Sequence, residues 1–264
     1  MKKDYHSFLF VPVTRKMLSK IETANADAII LDLEDAIPDI EKEEALQLCK
    51  EFISKEIKRP NTYIRLNKER MHQEMQVLSS YDFNGYMIPK IENDAILKNC
   101  QEFLRTKEVI GLVETAKGMT NIESIVSSEY VSAVAFGAED YTCSMNMENN
   151  FSLLIPARSR IVMYAKAYHK PIIDSPSFNY SDMEKLEKEV EQIVSMGFDG
   201  KMAIHPKQVQ VIERAFRMHD VDVMKEIVDA FDKQGGGVLV YQNKVYEKPH
   251  IKRLKNILRN MEID

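Results

Sequence analysis

Residues 28–35, Ala-Ile-Ile-Leu-Asp-Leu-Glu-Asp, join a short apolar run to a cluster of three carboxylates. The run is rich in branched aliphatic residues, which is typical of a parallel strand buried on both faces. Similar runs recur along the chain and lead into charged or polar residues: Arg65, Glu114, Glu139 with Asp140, Asp174 and His205. In parallel α/β folds the carboxyl ends of the strands form the face that carries the active site. The pattern therefore predicts the location of the active site, but it does not identify the reaction.

Strand-like and helix-like segments alternate eight times between residues 7 and 218, which is the number that a closed (β/α)8 TIM barrel requires. An open doubly wound sheet is the main alternative, but no Gly-x-Gly-x-x-Gly motif follows the first strand. The predicted fold class is therefore α/β, a TIM barrel over residues 1–219. Residues 220–264 are predicted to form a C-terminal helical extension, with a hairpin, that packs on the barrel or on a neighbouring subunit.

One predicted helix has both a start signal and a stop signal in the sequence, and one predicted loop is longer than the others. The clearest helix is expected over Ser181–Met196, with Ser181 and Glu184 as a capping box and Gly197 as its stop. A longer loop is expected after the sixth strand, before a helix near Pro156–Tyr168.

Composition excludes several classes of function. The chain has 264 residues and a net charge of −5, so nothing general in its charge favours nucleic acid or an anionic membrane. Its three isolated cysteines, Cys49, Cys100 and Cys143, predict neither a disulfide framework nor a zinc cluster. No stretch approaches the roughly 20 apolar residues that span a bilayer. We expect a cytoplasmic protein.

Glu114 and Asp140 each follow a predicted strand, and these two strands are neighbours in the predicted barrel. Two carboxylates without a histidine or thiolate partner favour a hard cation, and Mg²⁺ completes its octahedron with waters and substrate oxygens. The alternative is that such acids are solvated or cap the next helix. Because two acids lie on adjacent strands, we predict Glu114 and Asp140 as Mg²⁺ ligands.

Arg65 ends the third predicted strand, where a guanidinium can hold a substrate carboxylate in a bidentate grip. Its alternative role is an ion pair with Glu34 or Asp35 on the neighbouring strand, and the two roles can coexist. Asp32, Glu34 and Asp35 are too many acids for all to bind metal. At least one is expected to be structural and to pair with a nearby cation: Arg65, Lys90 or Lys42.

Residues 137–140, Gly-Ala-Glu-Asp, offer small side chains and free backbone N–H groups where a carboxylate can sit. We therefore predict Gly137, Ala138, Glu139 and Asp140 as substrate-binding residues. His205 is interpreted as a hydrogen-bonded structural histidine. Schiff-base chemistry stays open at the strand-end lysines Lys90 and Lys201, although neither has an obviously apolar setting.

Several motifs follow one another in a fixed order along nearly the whole chain. They are residues 9–12 (Leu-Phe-Val-Pro), 26–36, 64–67 (Ile-Arg-Leu-Asn), 88–92 (Ile-Pro-Lys-Ile-Glu), 113–118, 136–140, 157–160, 197–206 and 235–250. With these motifs the chain resembles the citrate lyase beta-subunit-like proteins of the HpcH/HpaI aldolase/citrate lyase family.

The resemblance implies a barrel that binds Mg²⁺ and cleaves or forms a carbon–carbon bond in a 3-hydroxy acid carried as a coenzyme A or acyl-carrier thioester. Citryl, malyl and citramalyl thioesters are such substrates, and oxaloacetate, glyoxylate or pyruvate would be the keto acid. By motif, Glu114 and Asp140 become the metal ligands and Arg65 the catalytic contact of the substrate carboxylate. The resemblance also implies a homo-oligomer, a trimer or hexamer, in which the extension reaches a neighbour's site.

The chain departs from the family pattern at two places. The family carries an Asp just before a Pro-His pair as general acid or base, and this chain has Glu247 there. We expect Glu247 to take that catalytic role. The family also continues the Val-Pro pair of the first strand with Gly, where this chain has Val13-Thr14. Two alternatives to a lyase stay open, namely a thioester hydrolase of the same substrate class and a non-catalytic binding or assembly subunit.

Overall fold

Eight parallel strands form a closed barrel and follow one another around it in chain order. The computed structural model describes residues 5–21, 25–55, 60–104, 106–179, 181–217 and 221–261. The barrel strands are β1 (Ser7–Pro12), β2 (Ala28–Asp32), β3 (Asn61–Arg65), β4 (Gly85–Ile88), β5 (Glu108–Val113), β6 (Ala133–Phe136), β7 (Ile172–Asp174) and β8 (Gly200–Ala203). The predicted (β/α)8 barrel is confirmed.

Ring closure is made by β1, which pairs with β2 on one side and with β8 on the other. Phe8 lies opposite Ala28 in one pairing and opposite Met202 in the other. Alternate strand residues fill the barrel interior, among them Phe8, Ile30, Ile110 and Met202. The residues between them, such as Ile29, pack outward against the helices. Both faces of the sheet are therefore buried, as the unbroken apolar runs predict.

The helices cover the outside of the barrel and build the C-terminal extension. They are α1 (Arg15–Leu18), α2 (Lys42–Ile53), α3 (Met71–Leu78), α4 (Ala95–Lys98), α5 (Gln101–Leu104), α6 (Ala116–Thr120), α7 (Ile122–Ser127), α8 (Ala138–Met145), α9 (Ile155–Ala167), α10 (Met183–Met196), α11 (Pro206–Arg217), α12 (Val221–Lys233) and α13 (Lys248–Met261).

Two local predictions are wrong. Residues 138–145 form α8 directly after β6, where a loop was expected. Helix α10 is capped by Asp182, whose side chain accepts from the N–H of Lys185, whereas a capping box at Ser181 was expected. The predicted stop is confirmed, because Gly197 is left-handed at φ 95° and closes α10.

The extension has an apolar cluster of its own. Helices α12 and α13 pack together through Ile227, Phe231, Ile251 and Leu254. A hairpin of β9 (Leu239–Tyr241) and β10 (Lys244–Tyr246) joins them. The predicted boundary between residues 219 and 220 lies outside the described residues and stays a prediction, as does the surface on which the extension packs. None of the described helices combines the length and apolar character needed to cross a bilayer.

Candidate active site

A cavity of about 470 Å³ lies where the barrel strands end at their carboxyl side. One part of its lining is charged or rich in backbone N–H groups, and includes Asp32, Arg65, Glu114, Gly137, Glu139 and Asp140. The other part is apolar and includes Phe10, Leu112, Pro176, Phe178, Met202 and Ile204. The cavity therefore combines a charged part, in which carboxylates outnumber the guanidinium of Arg65, with an apolar part.

Glu114 follows β5 and is buried at the base of the charged part of the lining. Its Oε1 accepts a 2.8 Å hydrogen bond from the backbone N–H of Lys90. Burial is the main cause that raises the pKa of Glu114 to about 8, and the nearby carboxylates of Glu34 and Asp140 contribute to this rise against the pull of Arg65. The folded chain therefore disfavours the ionised form of this carboxylate.

Asp140 lies in the first turn of α8, which begins directly where β6 ends. Its Oδ2 is 3.4 Å from Nζ of Lys90, the residue whose N–H also binds Glu114. The preceding cap position of α8 is Gly137, which has no side chain with which to bind the N–H groups of the first turn. The first turn of α8, which has no side-chain cap within the described residues, therefore lies in the cavity lining together with the carboxylate of Asp140.

Arg65 lies at the end of β3 and grips Asp32 with two parallel hydrogen bonds. Its Nε donates to Asp32 Oδ1 and its Nη2 to Oδ2, both at 2.7 Å. Its Nη1 lies 3.2 Å from both Glu34 Oε2 and Asp35 Oδ2. The predicted ion pairing of Arg65 is confirmed. One of the two hydrogens on Arg65 Nη2 takes no part in these contacts. The predicted contact of Arg65 with a substrate carboxylate therefore does not require any of these ion pairs to break.

The acidic cluster after β2 is largely structural, as its number of carboxylates predicted. Asp32 is held by Arg65, and the backbone oxygens of Leu33 and Glu34 accept from Lys42 Nζ at 3.2 and 2.7 Å. Burial raises the pKa of Glu34 to about 7, partly offset by Arg65. The Oε2 atom of Glu34 lies 3.2 Å from Arg65 Nη1. It has no aligned hydrogen-bond donor among the described residues.

The donor set around Glu114 and Asp140 fits a hard divalent cation. Among the described residues no group of three His, Cys, Asp or Glu side chains converges as a ready-made metal cage. Two carboxylates at an open cavity are what Mg²⁺ takes from a protein, because it keeps several waters and binds substrate oxygens. Burial and the neighbouring carboxylates raise the pKa of Glu114, so a cation bound between Glu114 and Asp140 would offset their mutual repulsion.

A buried ionic triad, which the sequence did not reveal, supports the apolar part of the lining. Asp174 accepts from Lys201 Nζ at 2.8 Å and from Arg158 Nε at 2.8 Å. Lys201 also donates to the backbone oxygen of Ser175, at 2.7 Å. This contact fixes the loop that carries Phe178 to the cavity. A fully buried, paired Lys201 and a Lys90 whose pKa is raised by neighbouring acids both argue against Schiff-base chemistry.

The predicted site residues divide into two groups. Six of them line the one cavity: Arg65, Glu114, Gly137, Ala138, Glu139 and Asp140. Glu247 is exposed in the extension, where its N–H donates to His250 Nδ1, and within the described part of the chain it is not in the cavity lining. His205 Nδ1 accepts from the N–H of Lys207, in keeping with a structural histidine.

An α/β barrel with acidic side chains at the carboxyl ends of its strands belongs to the class of TIM-barrel proteins whose active sites lie on that face. The chain is a member of the HpcH/HpaI aldolase/citrate lyase family, whose model matches residues 6–206. This assignment agrees with the resemblance seen in the sequence motifs.

Known members of the family are similar over nearly the whole chain. The (3S)-malyl-CoA thioesterase of Cereibacter sphaeroides is 27% identical, covering 98% of this chain and 95% of the relative. The mitochondrial citramalyl-CoA lyase of Rattus norvegicus is 25% identical, covering 95% and 84%. The citrate lyase beta subunit of Mycobacterium tuberculosis, solved with oxaloacetate and magnesium, is 26% identical with a TM-score of 0.72, covering 81% and 98%. These relatives thus include a lyase and a thioesterase that are named for coenzyme A thioesters.

Proposed function

We propose that the protein is an Mg²⁺-dependent carbon–carbon lyase. It cleaves, or in reverse forms, a 3-hydroxy-acid thioester of the citryl, malyl or citramalyl type, and the products are a keto acid and an acyl thioester. One observation carries the proposal, namely that Glu114 and Asp140 face one cavity and are bridged by the same residue, Lys90. The similar structure with oxaloacetate and magnesium supports both the metal and the keto acid.

The residues of the charged lining take distinct roles. Glu114 and Asp140 hold the metal through their carboxylate oxygens. When bound, Mg²⁺ acts as a Lewis acid that polarises the keto oxygen and stabilises negative charge there. The N–H groups of Ala138 and Glu139, at the start of α8, and the remaining N–H of Arg65 receive the carboxylate of the keto acid.

The apolar lining receives the thioester end of the substrate, whether coenzyme A or a carrier protein supplies the thiol. Phe10, Leu112 and Met202 exclude water from the bond that breaks. Glu247 supplies the proton transfer as general acid or base. Because it is exposed outside its own chain's cavity, we propose that it acts in a neighbouring subunit of a homotrimer or hexamer. A cytoplasmic location also stays part of the proposal.

Thioester hydrolysis is the second candidate, because the thioesterase relative is 27% identical over 98% of this chain. The two activities differ in their products. A lyase releases keto acid in equal amount to a shorter acyl thioester, whereas a hydrolase releases free thiol and leaves the carbon skeleton whole.

The test incubates purified protein and Mg²⁺ with citryl-, malyl- and citramalyl-CoA and measures keto acid and free thiol separately. We expect keto acid from at least one thioester, and its loss in Glu114→Gln and Asp140→Asn. Glu102→Gln, an exposed change on α5, is the matched control and keeps full activity. Thiol without keto acid supports the hydrolase instead. No product from any of the three thioesters contradicts both and favours a non-catalytic subunit.

A further inference from the structure

Lys90 contacts both proposed metal ligands, and it does so with different parts of the residue. Its backbone N–H donates to Glu114 Oε1 at 2.8 Å, and its Nζ lies 3.4 Å from Asp140 Oδ2. The backbone of Lys90 is left-handed, with φ 49°, which is uncommon for a residue with a side chain. In this conformation the N–H and the ammonium group reach the two carboxylates at the same time.

In the described part of the chain, the ammonium group of Lys90 is the cation that lies beside Asp140. Arg65 is engaged by Asp32, Glu34 and Asp35. Lys90 Nζ lies between Asp140 and Glu34, 3.6 Å from Glu34 Oε1, and its side chain is 27% exposed. It therefore supplies positive charge to a carboxylate that a divalent cation would also use.

We propose that Lys90 is a positioning residue with two opposed effects, weakening Mg²⁺ binding at Glu114 and Asp140 while strengthening the binding of an anionic keto acid. The inference rests on the proposed function, because it requires that this site bind a metal and an anion. A structural role alone would predict that both affinities fall when the side chain is removed.

The first effect follows from electrostatics at short range. An ammonium group and a divalent cation repel each other, and they share the negative charge of Asp140. When Lys90 is replaced by a neutral residue, the full charge of Asp140 is available to the metal. We expect roughly fivefold tighter Mg²⁺ binding, because the repulsion between the ammonium group and the metal is lost, and solvent screens most but not all of that repulsion at this partly exposed side chain.

The second effect has the opposite sign because the ligand is negative. Once Mg²⁺ is bound, an incoming keto acid meets the carboxylates of Asp35, Glu139 and Asp140 in the cavity lining, and Lys90, beside Asp140, offsets part of their repulsion. Removing that charge is expected to weaken keto-acid binding roughly tenfold, which is the cost of losing a charged partner at about 1.4 kcal/mol.

The experiment measures binding without turnover in wild-type protein, Lys90→Met and Lys90→Arg. Calorimetry with Mg²⁺, and paramagnetic resonance with Mn²⁺ as a substitute, give the metal affinity; calorimetry with oxaloacetate at saturating Mg²⁺ gives the anion affinity. Lys98→Met is the matched control, because Lys98 is 60% exposed and pairs with Asp94 on the surface. Circular dichroism checks that each variant is folded.

We expect Lys90→Met to bind the metal more tightly and oxaloacetate more weakly, Lys90→Arg to restore both, and Lys98→Met to change neither. Unchanged or weaker metal binding in folded Lys90→Met overturns the role of Lys90 while leaving the proposed function intact. Tighter metal binding with unchanged oxaloacetate binding overturns the second effect. If wild-type protein binds no Mg²⁺ at all, the proposed function fails and this inference fails with it.

Discussion

The carboxylate of Glu114 lies against the Cα of Gly137, in space that any larger residue at position 137 would need. A Cβ built on Gly137 would lie 2.5 Å from Glu114 Oε2 and 2.6 Å from its Cβ. Such contacts are far shorter than van der Waals distances, so one of the two residues has to move. The placement of Glu114 thus depends on the absence of a side chain at position 137, directly after the neighbouring strand β6.

The first prediction is that Gly137→Ala displaces Glu114 and weakens Mg²⁺ binding by more than tenfold, with lyase activity falling in parallel. The matched control is Gly111→Ala in β5, where the nearest atoms to a new Cβ are methyl carbons of Ile91 and Ile125 at 3.4–3.5 Å. Metal titration by calorimetry compares the two variants. Equal affinities in both would show that the close approach at Gly137 does not place the ligand.

The second prediction concerns stability at Arg65. A lysine at position 65 keeps the charge but cannot make the two parallel bonds to Asp32. We expect Arg65→Lys to lower the free energy of unfolding by about 2 kcal/mol, because a charge-assisted hydrogen bond is lost in a buried setting. Urea unfolding measures the change.

Arg15→Lys provides the comparison for Arg65→Lys. The Arg15 side chain is 74% exposed and its Nε lies 3.8 Å from Glu44. Exposed pairs of this kind contribute little, so the variant should stay within about 0.5 kcal/mol of wild type. Equal losses in the free energy of unfolding would show that the two parallel hydrogen bonds from Arg65 to Asp32 stabilise the fold no more than an exposed ion pair does.

The third prediction is a pH dependence of the metal-free protein. The pKa of Glu114 is about 8 in the folded protein and 4.5 ordinarily, so the folded state binds this proton more tightly than the unfolded chain. Stability is therefore highest below pH 4.5 as far as Glu114 is concerned, and falls as pH rises to about 8, by up to about 1.4 kcal/mol per pH unit. Glu34 and Glu74, with pKa values near 7, act in the same direction.

Thermal unfolding at pH 5.5 and 8.5 tests this dependence. The metal-free protein should unfold at lower temperature at pH 8.5, and Glu114→Gln should show a smaller difference between the two. Because Mg²⁺ binds the ionised carboxylate, added Mg²⁺ should stabilise the protein more at pH 8.5 than at pH 5.5. A larger effect of Mg²⁺ at pH 5.5 would contradict the assignment.

The fourth prediction concerns the buried triad. Lys201→Met leaves Asp174 with Arg158 alone and removes the donor to the Ser175 backbone oxygen. Breaking a buried pair in this way should cost about 3 kcal/mol in the free energy of unfolding. The thioester KM should also rise, because the loop that carries Phe178 loses one of its anchors and keeps the bond from Gln208 to the Ser177 backbone oxygen.

The control for Lys201→Met is Lys207→Met on the exposed start of α11. Chemical denaturation should separate the two variants clearly, with the exposed change near zero. A loss below 1 kcal/mol in Lys201→Met would mean that Arg158 alone compensates Asp174.

The sequence predicted the barrel because its strands are short apolar runs that are buried on both faces. Strand ends were less predictable: the sequence pattern predicts a fifth strand over residues 108–114 and an eighth over 200–205, whereas β5 stops at Val113 and β8 at Ala203. The limits of a strand depend on where its neighbours stop pairing, and the local sequence does not encode this. Helix α8 was missed because its acids, Thr and Ser give a weak periodicity, whereas Tyr141 packs its ring on Phe136 of the preceding strand.

The site could be predicted in outline but not in its contacts. Acids at strand ends indicated Glu114 and Asp140, because parallel strands bring such residues to one face. The left-handed Lys90 could not be foreseen, since that conformation is most often taken by Gly or Asn. The pairing of Asp174 with Lys201 could not be foreseen either. It depends on the register of β7 against β8, which places the two residues opposite each other.

Because Phe8 of β1 pairs with both Ala28 and Met202, the first strand of the barrel to be synthesised is completed by the last. Until β8 has been translated, one edge of β1 exposes unpaired backbone N–H and C=O groups beside a strongly apolar surface. Open strand edges of this kind recruit other chains. The nascent polypeptide is therefore most exposed to aggregation during the synthesis of the segment between β1 and β8, and chaperone binding should be concentrated in that interval.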